Sequence, residues 1–170
     1  MKRPDILFIF GTRPEAIKLA PVIKACQDKN ISFRVCITAQ HRDMLDPLLN
    51  FFDIPVDFDL NLMKPNQSLS ELTQTGLAQI TPILNRLNPK WVMVQGDTTT
   101  TFVGALAAFY NQIPIAHIEA GLRTHNLNEP FPEEMNRQYI DRISTLLFAP
   151  TQRAKDNLLR ENIDESCIII

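Results

Sequence analysis

WVMVQGDTTTTFVGALAAFYNQIPIAHI, residues 91–118, holds a complete strand–helix–strand unit. Trp91–Gln95 is a short apolar run of strand length, and Gly96-Asp97 breaks it. Thr98–Tyr110 is long enough for a helix, and Ile113–Ile118 is a second short apolar run. Two such strands joined by a helical crossover pair in parallel, with a right-handed connection.

The same alternation extends in both directions. Toward the N-terminus, Asp5–Phe10 is nearly all apolar, as expected of a strand covered on both faces. Thr12-Arg-Pro-Glu15 fits a capping box with proline in the first turn, followed by an amphipathic helix through Gln27. Phe33–Thr38 is the second strand, Gln40–Phe52 a helix interrupted at Pro47, and Val56–Leu60 a weak third strand. Ser68-Leu-Ser-Glu71 is another capping box, opening a helix to about Leu87 that Pro82 is expected to kink or restart. Toward the C-terminus follow a helix at Glu133–Ser144, a strand at Leu146–Ala149, a helix at Gln152–Glu161 and an apolar strand at Cys167–Ile170. The whole predicts an α/β, Rossmann-like parallel sheet with helices on both faces.

The composition fits one such domain. The chain has 170 residues, 45% hydrophobic and 21% charged, which excludes intrinsic disorder. Lys+Arg is 17 and Asp+Glu 19, a formal net charge of −2 that argues against a nucleic-acid partner. No apolar run approaches a membrane span, and Met1-Lys2-Arg3 is followed by too few apolar residues for a signal peptide, so a cytoplasmic protein with no membrane partner is expected. Cys26, Cys36 and Cys167 lack metal-ligand or redox spacing and read as buried, reduced thiols.

In open parallel sheets ligands bind outside the carboxyl ends of the strands. Three loops occupy that edge: Gly11–Glu15, Gln95–Thr101 and Glu119–Arg123. They hold three of the five glycines of the chain. None matches a dinucleotide fingerprint or a Walker loop. Thr12 and Glu15 are explained by capping, but Arg13 places a cation where the helix dipole disfavours one, so an anionic partner such as phosphate is expected, with Lys18 one turn further as a second contact. Asp97 is a good N-cap, yet four threonines in a first turn are poor helix formers; their hydroxyls and N–H groups suit an anion or a polyol. Glu119 ends an apolar strand facing the same crevice, where a charge is costly unless paired; a structural pair with Arg123 is the alternative to a role in the site. His117 reads as a satisfied sheet histidine, and Glu133, Arg137 and Asp141 as a helix-surface ion ladder. Several carboxylates without metal-ligand histidines point to proton transfer or sugar recognition, with no metal and no cofactor.

Five strings carry a resemblance: FGTRPEAIKLAPV (Phe10–Val22), TAQHRDMLD (Thr38–Asp46), QGDTTTT (Gln95–Thr101), HIEAGLRT (His117–Thr124) and PFPEEMNR (Pro130–Arg137). In this order and spacing the sequence resembles the non-hydrolysing UDP-N-acetylglucosamine 2-epimerases. The resemblance implies the N-terminal half of a two-domain, glycosyltransferase-B-type fold with substrate in the cleft between domains. It implies interconversion of UDP-N-acetylglucosamine and UDP-N-acetylmannosamine by elimination and re-addition of UDP. Asp97, Glu119 and Glu133 fall on the family's acidic catalytic positions, and Arg13 and Lys18 on residues implicated in binding UDP; Thr98 and Arg123 are further substrate-binding candidates. Gln40 and His41 match a regulatory site of some members, although Asp43 and Asn66 depart from the regulated pattern.

Family chains are much longer. Residues 1–170 are therefore expected to be the N-terminal domain without the second, with little or no turnover alone, and the full-length enzyme to be a homodimer. The alternatives are a 2-epimerase for a modified UDP-diacetamido sugar, or a non-catalytic nucleotide-sugar binding domain.

Overall fold

The computed structural model describes residues 3–38, 42–64 and 66–170, with the backbone alone for Arg42 and Asp43. Gln40 and His41 lie outside the described residues. The strands are β1 (Ile6–Phe10), β2 (Phe33–Ile37), β3 (Phe58–Asp59), β4 (Trp91–Gln95), β5 (Ile115–Ile118), β6 (Leu146–Phe148) and β7 (Ile168–Ile169). Between them run α1 (Arg13–Asp28), α2 (Arg42–Phe51), α3 (Leu69–Leu87), α4 (Thr99–Tyr110), α5 (Glu133–Ile143) and α6 (Gln152–Arg160), with a 3-10 turn at Glu165–Cys167 before β7.

Every strand pair is parallel, in the order β3-β2-β1-β4-β5-β6-β7. Alternate residues of β1 serve opposite layers, as the pleat requires. Leu7 and Ile9 pack with Val92 and Val94 of β4 against α3, α4 and α5. Phe8 and Phe10 pack with Met93, Val35 and Ile37 against α1 and α2. A smaller cluster, Ala120, Leu147, Ala154 and Leu158, seats α6 on the loop after β5.

Both capping boxes form: Thr12 with Glu15 opens α1, and Ser68 with Glu71 opens α3. Three local expectations are corrected. α2 continues through Pro47 without interruption; α3 likewise runs from Leu69 to Leu87 with no restart at Pro82. A proline costs one ladder bond, and in α3 the buried Ile80, Ile83, Leu84 and Leu87 hold both sides of it to the core. β3 shrinks to two residues, because the Asp57 carboxylate takes the Val35 N–H (2.9 Å) and pairs with Arg34 (3.2 Å). The N-cap of α4 is Thr98, whose hydroxyl accepts from the Thr101 N–H, so Asp97 is left for other contacts.

Candidate functional site

The strand order reverses between β1 and β4, and the crevice of an open sheet lies at such a switch point. The turns after β1, β4 and β5 meet there. Gly96 sits at φ +76°, in the left-handed region that glycine enters without Cβ strain. Glu119, directly after β5, holds φ +73° with a full side chain. Such a conformation persists when the surroundings over-determine it, and it clusters at functional sites. Here the Glu119 N–H is fixed by the Phe148 carbonyl at 3.0 Å, and the Ile118 carbonyl takes the Gly96 N–H at 3.0 Å.

The three predicted acids converge. Asp97 is largely buried, which pushes its carboxyl above the usual range; Arg137 opposes that, and the negative charges of Glu133 and Glu119 add to it. Arg137 reaches Asp97 Oδ2 at 2.9 Å, and Asn136 Nδ2 donates to the Asp97 carbonyl at 2.9 Å, so α5 grips this residue by side chain and backbone. Glu119 is bound by Lys18, whose Nζ donates to Oε1 at 2.7 Å and Oε2 at 2.6 Å, and by the Gln95 amide. Glu133 opens α5, half-buried, where a carboxylate favours the helix dipole. A carboxyl raised by burial and set beside two further carboxylates is placed for proton transfer to and from a ligand.

The α1 end is less of an anion hole than its sequence suggests. The Gly11 and Thr12 N–H groups both donate to Glu15 Oε2 at 2.7 Å, the Glu15 N–H goes to the Thr12 hydroxyl, and Pro14 has no N–H. Only the Arg13 N–H is left in that turn, and Arg13 itself is exposed with no ion pair among the described residues. At α4 the Thr99 and Thr100 N–H groups open the first turn, beyond the reach of any earlier helical carbonyl.

Beneath the acids lies a buried polar scaffold. His117 bridges Asp141 Oδ1 (2.6 Å) and the Gly96 carbonyl (2.7 Å), so both ring nitrogens face oxygen acceptors, and it is satisfied as expected. Asp141 Oδ2 also takes the Gly121 N–H (3.0 Å) and the Arg123 guanidinium (2.8 Å). Burial raises the Asp141 carboxyl, but the His117 and Arg123 charges outweigh it and hold it low.

This overturns two expectations. Arg123 does not pair with Glu119; its fully buried side chain is bound by Asp141 and Glu161. The Glu133–Arg137–Asp141 ladder does not form either, because Arg137 turns to Asp97 and Glu134, and Asp141 points into the core. Gly121 allows the packing: at φ +83°, an added Cβ would lie 2.3 Å from the Ala154 carbonyl oxygen of α6.

Nothing in the sequence motifs marks Glu134, Asn136, Arg137 or Asp141 as site residues. Glu134 is fully buried, accepting from the Thr124 N–H (3.1 Å), the His125 N–H (3.2 Å) and Gln138 (2.8 Å). The available signal was the sequence EEMNRQYIDRI, which has too few apolar residues to supply an inward stripe. Among the described residues no group of three His, Cys, Asp or Glu side chains is placed to hold a metal ion. Cys26 and Cys36 are buried free thiols, Cys36 pushed up to about 12 by burial, whereas Cys167 is a half-buried free thiol.

A Rossmann-like domain with acids gathered at its switch point is the class that fold and site define. The profile of the family described as UDP-N-acetylglucosamine 2-epimerase matches residues 24–170. The UDP-N-acetylglucosamine 2-epimerase of Bacillus subtilis is 52% identical over 171 residues, covering 100% of this chain and 45% of the relative. The crystal structure of UDP-GlcNAc 2-epimerase from Neisseria meningitidis bound to UDP-GlcNAc matches at 54% identity and a TM-score of 0.94, covering 100% of this chain and 45% of that one. Acinetobacter baumannii MurG, at 14% identity and a TM-score of 0.61, shares the fold alone, of glycosyltransferase-B type. The chain belongs to the UDP-N-acetylglucosamine 2-epimerase family, and it spans less than half the length of these relatives.

Proposed function

We propose that residues 1–170 form the N-terminal, acid-bearing domain of an enzyme that interconverts UDP-N-acetylglucosamine and UDP-N-acetylmannosamine. The observation that carries this reading is the convergence of Asp97, Glu119 and Glu133 at the switch point beside Lys18.

In the forward direction the C2–H bond breaks and its proton passes to one carboxylate, while the C1–O bond breaks and UDP leaves with the electron pair. The product is 2-acetamidoglucal, with its double bond between C1 and C2. Re-addition of UDP at C1 and of a proton to the opposite face of C2 completes the epimerisation. Asp97, Glu119 and Glu133 divide the acid and base roles, Arg13 and Lys18 meet the diphosphate, and Thr98 offers its hydroxyl to the same ligand. Arg123 serves the loop rather than the ligand. No nucleic acid, membrane or cofactor enters this scheme. A cytoplasmic homodimer serving polysaccharide synthesis is part of the same proposal.

The test is exchange at C2. The chain is incubated with UDP-N-acetylglucosamine in D2O, alone and with the remaining part of a family enzyme supplied, and deuterium is followed by NMR. Exchange that needs the added part and vanishes in Asp97→Asn or Glu119→Gln supports the reading. UDP binding without exchange in either case would instead favour a nucleotide-sugar binding domain. Faster exchange with a UDP-diacetamido sugar would reassign the substrate.

A further inference from the structure

Two capping boxes in this chain have the same sequence logic and different surroundings. In α3, Glu71 is exposed, and among the described residues its carboxylate bonds only Ser68, the cap of its own helix, at 2.8 Å from both the N–H and the hydroxyl. In α1, Glu15 is 2% exposed and does much more. One oxygen takes the Gly11 and Thr12 N–H groups at 2.7 Å each. The other crosses to the next turn, accepting the Thr98 hydroxyl at 2.6 Å and the Thr101 hydroxyl at 2.8 Å. Thr101 also contacts the Gln95 carbonyl at 2.9 Å, which ties the same knot to the end of β4.

Capping explains the first pair of bonds but not the second. A carboxylate removed from water is costly unless its lone pairs are filled, and a carboxylate has about four acceptor sites. Glu15 fills four. It has no acceptor site left for a ligand, and it lies beneath the two turns that carry Arg13 on one side and Asp97 and Thr98 on the other.

We propose that Glu15 is a positioning residue: it joins the turn after β1 and the turn after β4 into one body, so that Arg13 and Thr98 face the crevice at a fixed separation. The ligand side of this statement rests on the nucleotide-sugar reading above; the coupling of the turns does not.

The coupling is tested by backbone amide hydrogen exchange on the 15N-labelled chain without ligand. Thr101→Val keeps the shape of a buried side chain and removes its hydroxyl. It is expected to speed exchange at Gly11 and Thr12, on the other turn, by about tenfold or more, the effect of weakening bonds to a charged group. Glu15→Gln is expected to speed exchange at Thr101, whose N–H bonds the Thr98 hydroxyl. Thr101→Ser restores the hydroxyl and the slow exchange, and it covers the case in which Thr101→Val does not fold. Glu71→Gln, the capping control, moves only the amides at the start of α3.

Acceleration confined to the mutated turn, or spread evenly over the sheet, would overturn the proposal. A parallel titration with UDP separates the two readings. Weaker UDP binding in Glu15→Gln but not in Glu71→Gln supports the positioning role. Coupled turns in a wild-type chain that binds no UDP even with the remaining part of a family enzyme supplied would sink the nucleotide-sugar reading and leave the coupling standing. UDP binding that Glu15→Gln leaves unchanged would reduce Glu15 to a structural link and overturn its role in positioning.

Discussion

Asp141→Asn tests whether the polar scaffold holds the site in place. Asp141 is a buried anion between the His117 imidazole at 2.6 Å and the Arg123 guanidinium at 2.8 Å, all three side chains being 0% exposed. Asparagine has nearly the same shape but no charge: Arg123 loses its buried counter-charge, and an amide nitrogen in place of Oδ2 would meet two donors, the Arg123 guanidinium and the Gly121 N–H. Glu161 still neutralises Arg123 from its outer side, at 2.7 Å. Breaking a buried pair by removing one partner costs about 3–5 kcal/mol. Against a typical total of about 5–15 kcal/mol that is a large fraction. For a domain of this size the midpoint of thermal unfolding falls by roughly 2–4 °C per kcal/mol, so a drop on the order of 10 °C is expected.

Urea unfolding at pH 7 measures the free energy, and its pH dependence supplies a second reading. The folded carboxyl is held low, so its contribution is fully present above the unfolded value of about 3.9 and is lost as pH falls through the depressed folded value. The wild type therefore loses stability on acidification in that window, and Asp141→Asn lacks this part of the slope. A change under about 1 kcal/mol at neutral pH, with the acid slope intact, would refute the claim that this buried charge is needed.

Gly121→Ala places a methyl 2.3 Å from the Ala154 carbonyl oxygen at a backbone φ of +83°, so α6 must shift and the loop must strain. A loss of at least about 2 kcal/mol is expected in urea unfolding, with raised amide exchange in α6. Arg137→Met removes the cation at 2.9 Å from Asp97 Oδ2; the Asp97 carboxyl, already above its ordinary range, should titrate higher still in a 13C NMR titration. Ser68→Ala, at an exposed cap, should cost about 1 kcal/mol and leave UDP binding unchanged.

The sheet and its helices were legible in the sequence because they depend on local periodicity. Short apolar runs of strand length, two capping boxes and a helix between each pair of strands leave few topologies open once crossovers must be right-handed. The place of Asp97 and Glu119 was legible too, since residues directly after β4 and β5 fall at the carboxyl edge of any parallel sheet. What those side chains bond was decided by tertiary structure. Glu119 takes Lys18, a residue 101 positions away, rather than the Arg123 in its own loop. Asp141, read as the end of a surface ladder, is instead the anion that fixes His117, Gly121 and Arg123. Glu15, read as a local cap, also binds hydroxyls 83 and 86 positions along the chain. The physical reason is the same in each case. Backbone conformation follows from neighbours in sequence, whereas a buried charge must be neutralised by whatever the fold brings within about 3 Å, and sequence spacing does not measure that distance.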